Sequence, residues 1–287
     1  MSSSTMRDAL LEAARALTPH SETPRLDAEL LLARAMGLTR AALLARLSDP
    51  LEDSGILQQF ERMLRRRQAR EPVAYILESV DFYGLTFRVR PPVLIPRPET
   101  ELLVSAALEY LEQFRPEQPR LLDLCTGSGC VLLAVKRHHR RCECVGVDIS
   151  PAAVSLAQEN AKRLRLKVTL LTGNLFDPPQ LRDFAPFHVI VANPPYVALE
   201  EWSGLAPDIR LYEDPGALLG GPDGTDILRQ IVRAAPDWLT SGGMLAVEMG
   251  EDQHGAVREM AEVAGFTDIR LLPDLAGTLR VLTARRP

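Results

Sequence analysis

No stretch of this sequence offers the roughly 20 consecutive apolar residues that a membrane-crossing helix needs. The start, Met1-Ser2-Ser3-Ser4-Thr5-Met6-Arg7-Asp8, is polar and lacks the apolar core of a secretion signal. The expectation is a cytoplasmic protein without a membrane partner. Cysteine is scarce: Cys125, Cys130, Cys142 and Cys144 crowd into one short region of 287 residues, a poor disulfide framework. Nor is positive charge in excess, since Lys plus Arg is 33 against 38 for Asp plus Glu, a net charge of −5. Long nucleic acid is held mainly by phosphate neutralisation, so no stable nucleic-acid partner is expected without a local basic patch. Internal repeats and low-complexity segments are missing as well, and the remaining composition is that of an ordinary globular chain. Its length favours two domains.

Residues 1–75 read as a small helical bundle. Thr5 with Asp8 forms a capping-box pattern, followed by Leu10, Leu11, Ala14 and Leu17 at helical spacing. Thr23-Pro24 opens a second helix that Gly37 stops, Thr39 a third, and Ser54 a fourth, which ends in Arg65-Arg66-Arg67. That arginine run reads as a solvated helix face or as a contact for an acidic partner. Residues 76–97 read as a β-hairpin linker around Gly84, because Val80–Val89 is rich in aromatic and β-branched residues. In residues 98–287, strands alternate with helices. Strands are expected at Arg120–Leu124, Cys144–Val147, Lys167–Leu171, His188–Ala192, Met244–Met249, Thr267–Leu272 and Thr278–Ala284, and a helix over Asp226–Leu239. This alternation is the pattern of an α/β fold with a doubly wound, mostly parallel sheet.

Ligands of such sheets lie beyond the carboxyl ends of the strands. The first strand runs into Cys125-Thr126-Gly127-Ser128-Gly129, where two glycines allow a sharp turn and close backbone approach. Asp148 ends the second strand 21 residues beyond Gly127, well placed for the two hydroxyls of a ribose. Read from Gly127 and Gly129, a dinucleotide fingerprint would need a third glycine where Leu132 stands, so NAD(P) is disfavoured, whereas S-adenosylmethionine needs no pyrophosphate site. The same turn also suits a plain strand-to-helix connection. Asn193-Pro194-Pro195-Tyr196 follows the fourth strand directly. Its prolines fix φ and remove donors, leaving carbonyl acceptors; with the Asn193 amide oxygen they suit a planar –NH2 group, and Tyr196 adds a flat ring.

These blocks resemble the class I methyltransferases acting on –NH2 groups, and more closely the HemK-type family of glutamine N5-methyltransferases that modify peptide chain release factors. The likeness covers nearly the whole chain. It rests on Glu71–Leu77, Phe82–Leu85, Leu94-Ile95-Pro96-Arg97-Pro98-Glu99-Thr100-Glu101, Asp148–Pro151, Asn193–Tyr196, Gly220–Gly224 and Asp274–Gly277. The resemblance implies a seven-stranded sheet, with Cys125, Thr126, Gly127, Ser128 and Gly129 around the methionine part of S-adenosylmethionine and Asp148 on its ribose. Asn174 and Leu175 would border the adenine. Asn193, Pro194, Pro195 and Tyr196 would hold the substrate glutamine, Asn193 also facing the cofactor. Two positions depart from the family pattern: Cys125 replaces a common Gly and Asn174 a common Asp. Peptide chain release factors are the implied partners, docked through the bundle, and a monomer is expected. A glutamine methyltransferase of a ribosomal protein and a nucleic-acid adenine methyltransferase are the alternatives. The latter would flip its base into a basic groove, against the acidic balance here. His138, His139, Cys142 and Cys144 match no common zinc spacing, so no metal is expected.

Overall fold

The computed structural model describes residues 5–287; the polar start, residues 1–4, lies outside the described residues. The chain forms two compact units. One runs to Ser79 and takes in Ala206–Tyr212; the other comprises Val80–Leu205 and Glu213–Pro287.

The first unit is helical: α1 (Met6–Leu17), α2 (Pro24–Ala35), α3 (Arg40–Leu44), α4 (Ser54–Gln68) and α5 (Val73–Leu77). At the start of α1 the Thr5 hydroxyl accepts from the Asp8 N–H (3.2 Å) and the Asp8 carboxylate from the Thr5 N–H (3.0 Å), a complete capping box. Leu10, Leu17, Leu31, Leu32, Leu43 and Phe60 fill the core. The arginine run is not simply a solvated face. Arg67 is buried, and its Nε lies 2.6 Å from the Asp27 carboxylate, which also accepts from the Ser21 and Thr23 hydroxyls. A buried charge needs such partners. Arg66 pairs with Glu71 at 2.6 Å and Arg65 with Glu61 at 3.7 Å, so all three charges are answered within the unit.

In the second unit, β1 (Ser79–Phe82) and β2 (Leu85–Arg88) form a hairpin whose turn, Tyr83-Gly84, has φ of +48° and +71°. These are values of a primed hairpin turn. There follow α6 (Glu101–Phe114), β3 (Arg120–Leu124), α7 (Cys130–His138), β4 (Glu143–Asp148), α8 (Pro151–Leu164), β5 (Thr169–Thr172) and β6 (Phe187–Ala192). Helix α9 (Pro207–Tyr212) is the excursion into the first unit; α10 (Asp226–Ala234), β7 (Leu239–Glu248), α11 (His254–Val263), β8 (Thr267–Pro273) and β9 (Leu279–Arg285) complete the chain. The expected helix over Asp226–Leu239 stops at Ala234 because Pro236 cannot extend it, and β7 begins five residues earlier than the sequence reading placed it.

The seven strands lie in the order β5-β4-β3-β6-β7-β9-β8, parallel except for β9, which is antiparallel to β7 and β8. Strand residues alternate between two cores. Leu121, Val189, Val191 and Ala246 face one helical layer, Leu122, Leu124, Ile190 and Val247 the other. The chain proceeds outward from β3 to β4 and β5, then returns to β6 on the other side of β3. That reversal makes the carboxyl ends of β3 and β6 the topological switch point.

Candidate functional site

At the end of β3 the turn Cys125–Gly129 is wound by three positive φ values, at Cys125 (+56°), Gly127 (+55°) and Gly129 (+79°). Gly129 is required for packing: a Cβ there would stand 3.1 Å from Cβ of Ala157 and 3.2 Å from Cδ1 of Leu133. At Gly127 no atom would lie within 4 Å, so the turn leaves space on the ligand side. Asp148 fixes the turn. One carboxylate oxygen accepts from the Gly127 N–H at 2.8 Å and the other from the Ser150 N–H at 2.9 Å. Burial raises the Asp148 pKa, and those two hydrogen bonds oppose the rise. Each oxygen keeps acceptor capacity for a further donor.

A cavity of about 280 Å³ opens at this switch point. It brings together Cys125, Thr126, Gly127, Ser128, Asp148, Asn174, Leu175, Asn193 and Pro195, with Pro92, Val93, Leu94 and Pro96 contributing one wall. Gly129, Pro194 and Tyr196 do not line it. Cys125 both lines the cavity and packs against the lower apolar core; burial pushes its thiol pKa up and keeps it neutral. The buried Ser128 hydroxyl has no hydrogen-bond partner of good geometry within the protein, the Cys130 thiol being a polar side-chain neighbour. An unpartnered hydroxyl, an open glycine and an acid with spare acceptor capacity suit a polar ligand that carries a ribose diol.

The Asn193 turn enters the same cavity from the end of β6. The Asn193 amide N–H2 donates to Oγ1 of Thr100 at 3.0 Å, which leaves its carbonyl oxygen for another donor. The Tyr196 hydroxyl donates to Oε1 of Glu248 at 3.2 Å, so the ring is anchored from behind. Gln253 gives an N–H to the Tyr196 carbonyl at 2.8 Å, and Gly220 N–H bonds the Val197 carbonyl at 2.9 Å. The glycines of 220–224 are needed here. A Cβ at Gly220 would stand 2.5 Å from the Pro195 carbonyl oxygen, and one at Gly224 would strike the Tyr196 carbonyl.

Four functional candidates escaped the sequence reading. Asp123 is buried at the end of β3, accepts from the Thr126 hydroxyl at 2.6 Å, and is pushed up to about 7 by burial and by the nearby Asp148. Its signal was a lone acid in an apolar strand. Thr100 lies in the Leu94–Glu101 block, whose sequence assigns it no role. Glu248 and Gln253 carried no local signal at all. The cysteines are all free, with Cys142 and Cys144 buried in the core.

Known proteins agree with this architecture. The chain matches the PrmC N-terminal domain family over residues 8–77 and the methyltransferase small domain family over residues 100–206. A 16S rRNA methyltransferase of T. thermophilus, solved with AdoMet and guanosine, superposes with a TM-score of 0.52 at 23% identity, over 73% of this chain and 50% of that one. The second unit thus has a methyltransferase fold, and its residues 100–206 match a methyltransferase domain family. Release factor glutamine methyltransferases of Geobacter sulfurreducens and Moorella thermoacetica are each 42% identical to the full chain, over 92% and 98% of it and 90% and 99% of theirs. The chain belongs to the release factor glutamine methyltransferase family.

Proposed function

We propose that this enzyme transfers a methyl group from S-adenosylmethionine to the side-chain amide nitrogen of the glutamine in the Gly-Gly-Gln segment of peptide chain release factors, leaving S-adenosylhomocysteine while the methylated nitrogen gives up one proton to water. One observation carries the reading: Asn193, held by Thr100, opens onto the same cavity as Asp148 and the Cys125–Ser128 turn. When bound, S-adenosylmethionine supplies an electrophilic methyl on a sulfonium. Asp148 would accept from the ribose hydroxyls, and the 125–128 turn with the Ser128 hydroxyl would take the amino-acid end.

An amide nitrogen is a weak nucleophile because its lone pair is delocalised into the carbonyl. The protein therefore has to align the nitrogen and stabilise the positive charge that grows on it. The Asn193 carbonyl oxygen and the Pro194 carbonyl would accept the two amide N–H groups and direct the nitrogen at the methyl. Both acceptors gain strength as positive charge builds, which favours the transition state over the ground state. The segment before the glutamine, having no side chains, would pass the Pro195-Tyr196 turn without a clash. The helical unit would dock the body of the factor, since so short a segment offers little contact area by itself. Supporting this, that unit matches the PrmC N-terminal domain family over residues 8–77. Incubation with labelled S-adenosylmethionine, an intact release factor and the same factor with its glutamine replaced tests the reading. Label is expected only in the former; equal label in both would reject it.

A further inference from the structure

Behind Asn193 lies a buried polar chain that the methyl-transfer reading leaves without a task. Thr100 is 2% exposed and Glu248 is 1% exposed, at the carboxyl end of β7. Thr100 receives the Asn193 N–H2 at 3.0 Å, and Glu248 receives the Tyr196 hydroxyl at 3.2 Å. The second carboxyl oxygen of Glu248 is buried with no hydrogen-bond partner of good geometry, although Thr100 stands beside the carboxyl as one of its hydrogen-bonding neighbours. A buried carboxylate so sparsely satisfied is costly, and a purely apolar residue would fill the space at less cost.

The direction of donation explains it. A threonine hydroxyl has one proton. If that proton faces the Glu248 carboxylate, the Thr100 oxygen can only accept from Asn193. The Asn193 amide is then locked with its N–H2 edge toward Thr100 and its carbonyl oxygen toward the cavity. We propose that Thr100 and Glu248 are positioning residues: an ionised Glu248, acting through Thr100, sets the polarity of the Asn193 amide so that its oxygen meets the substrate –NH2. This rests on Asn193 being an acceptor for that group.

Protonation of Glu248 would reverse the chain. The carboxyl proton would go to Thr100, the Thr100 proton to the Asn193 oxygen, and Asn193 would turn an N–H2 toward the substrate –NH2. Donor would then face donor. Burial lifts the Glu248 pKa to about 7, and Glu99 pushes in the same direction, while Thr100, Tyr196 and Arg280 hold it down. Cys130 on α7 also feels its charge, and Arg97 acts on its partner Tyr196. Activity therefore requires the charged form and should fall as pH drops through the Glu248 pKa.

The test is kcat/KM against pH on a Gly-Gly-Gln peptide with S-adenosylmethionine saturating, so that titration of Asp123 on the cofactor side has no weight. The full-length enzyme should lose about tenfold per pH unit below about 7. Glu248→Gln, uncharged at every pH, should show a flat acid limb and a lowered plateau. Thr100→Val should lose about tenfold to a hundredfold in kcat/KM with unchanged cofactor affinity, and Thr100→Ser should recover most of that loss. An acid limb that persists in Glu248→Gln, or full activity in Thr100→Val, would overturn the inference. No glutamine methylation by the wild-type enzyme at any pH would instead remove the reading it rests on.

Discussion

Adding one methyl group at Gly220 tests whether the 220–224 segment holds the Asn193-Pro194-Pro195-Tyr196 turn in working geometry. Gly220 does not adopt a left-handed φ, so Gly220→Ala introduces no backbone strain and its effect is steric. The new Cβ would stand 2.5 Å from the carbonyl oxygens of both Pro195 and Gly224, whereas real Cβ atoms essentially never come closer than 3.0 Å. Each gap must widen by at least 0.5 Å (3.0 − 2.5), and both obstacles are backbone. Over-packing of this kind costs about 1–3 kcal/mol of stability. The catalytic cost follows from placement: if about 1 Å of misplacement costs roughly a hundredfold, half that displacement at Pro195 should cost about tenfold in kcat. Neither obstacle belongs to the cofactor turn at 125–129. Calorimetry should therefore return an unchanged S-adenosylmethionine affinity while steady-state assays show the lowered kcat. A destabilised variant that turns over at the wild-type rate would mean that the segment does not position the turn.

Three other perturbations separate the parts of the site. Asn193→Ala should abolish methyl transfer, losing about 2.7–4 kcal/mol of transition-state stabilisation, while cofactor binding survives; near-normal turnover would contradict its role. Asp148→Ala should act in reverse, weakening cofactor binding by roughly 1.5–3 kcal/mol through loss of a charged acceptor, as read by calorimetry. A chain beginning at Val80, its folding confirmed by circular dichroism, should keep its cofactor affinity. It should also methylate a short Gly-Gly-Gln peptide normally, yet show a raised KM for intact release factor. Equal KM values for the intact factor would show that the helical unit does not dock it.

The parts of the site that were legible in the sequence are those whose signals are local. Thr5 and Asp8 are three residues apart, and the Cys125–Gly129 turn and the Asn193 turn each follow their strand directly. Asp148 is legible because a strand–helix–strand unit has a regular length. What stayed hidden depends on strand order. Thr100 and Asn193 are 93 residues apart, and Tyr196 and Glu248 are 52 apart; the second pair meets because β6 and β7 are neighbours, the first because the helix that follows Thr100 packs on β6. The pairing of Arg67 with Asp27, 40 residues away, hides one arginine of a run that looks solvent-facing in the sequence. The glycines of 220–224 were visible as a block, but their reason, close approach to the Pro195 and Tyr196 carbonyls, exists only in three dimensions.

The most direct measurement is peptide mapping of an intact release factor after incubation with the full-length enzyme and isotopically labelled S-adenosylmethionine, read by tandem mass spectrometry. The account predicts one added methyl group, on the side-chain nitrogen of the Gly-Gly-Gln glutamine, formed by the wild-type enzyme and absent with Asn193→Ala. Label on any other residue, or on that glutamine at equal yield with Asn193→Ala, would contradict it.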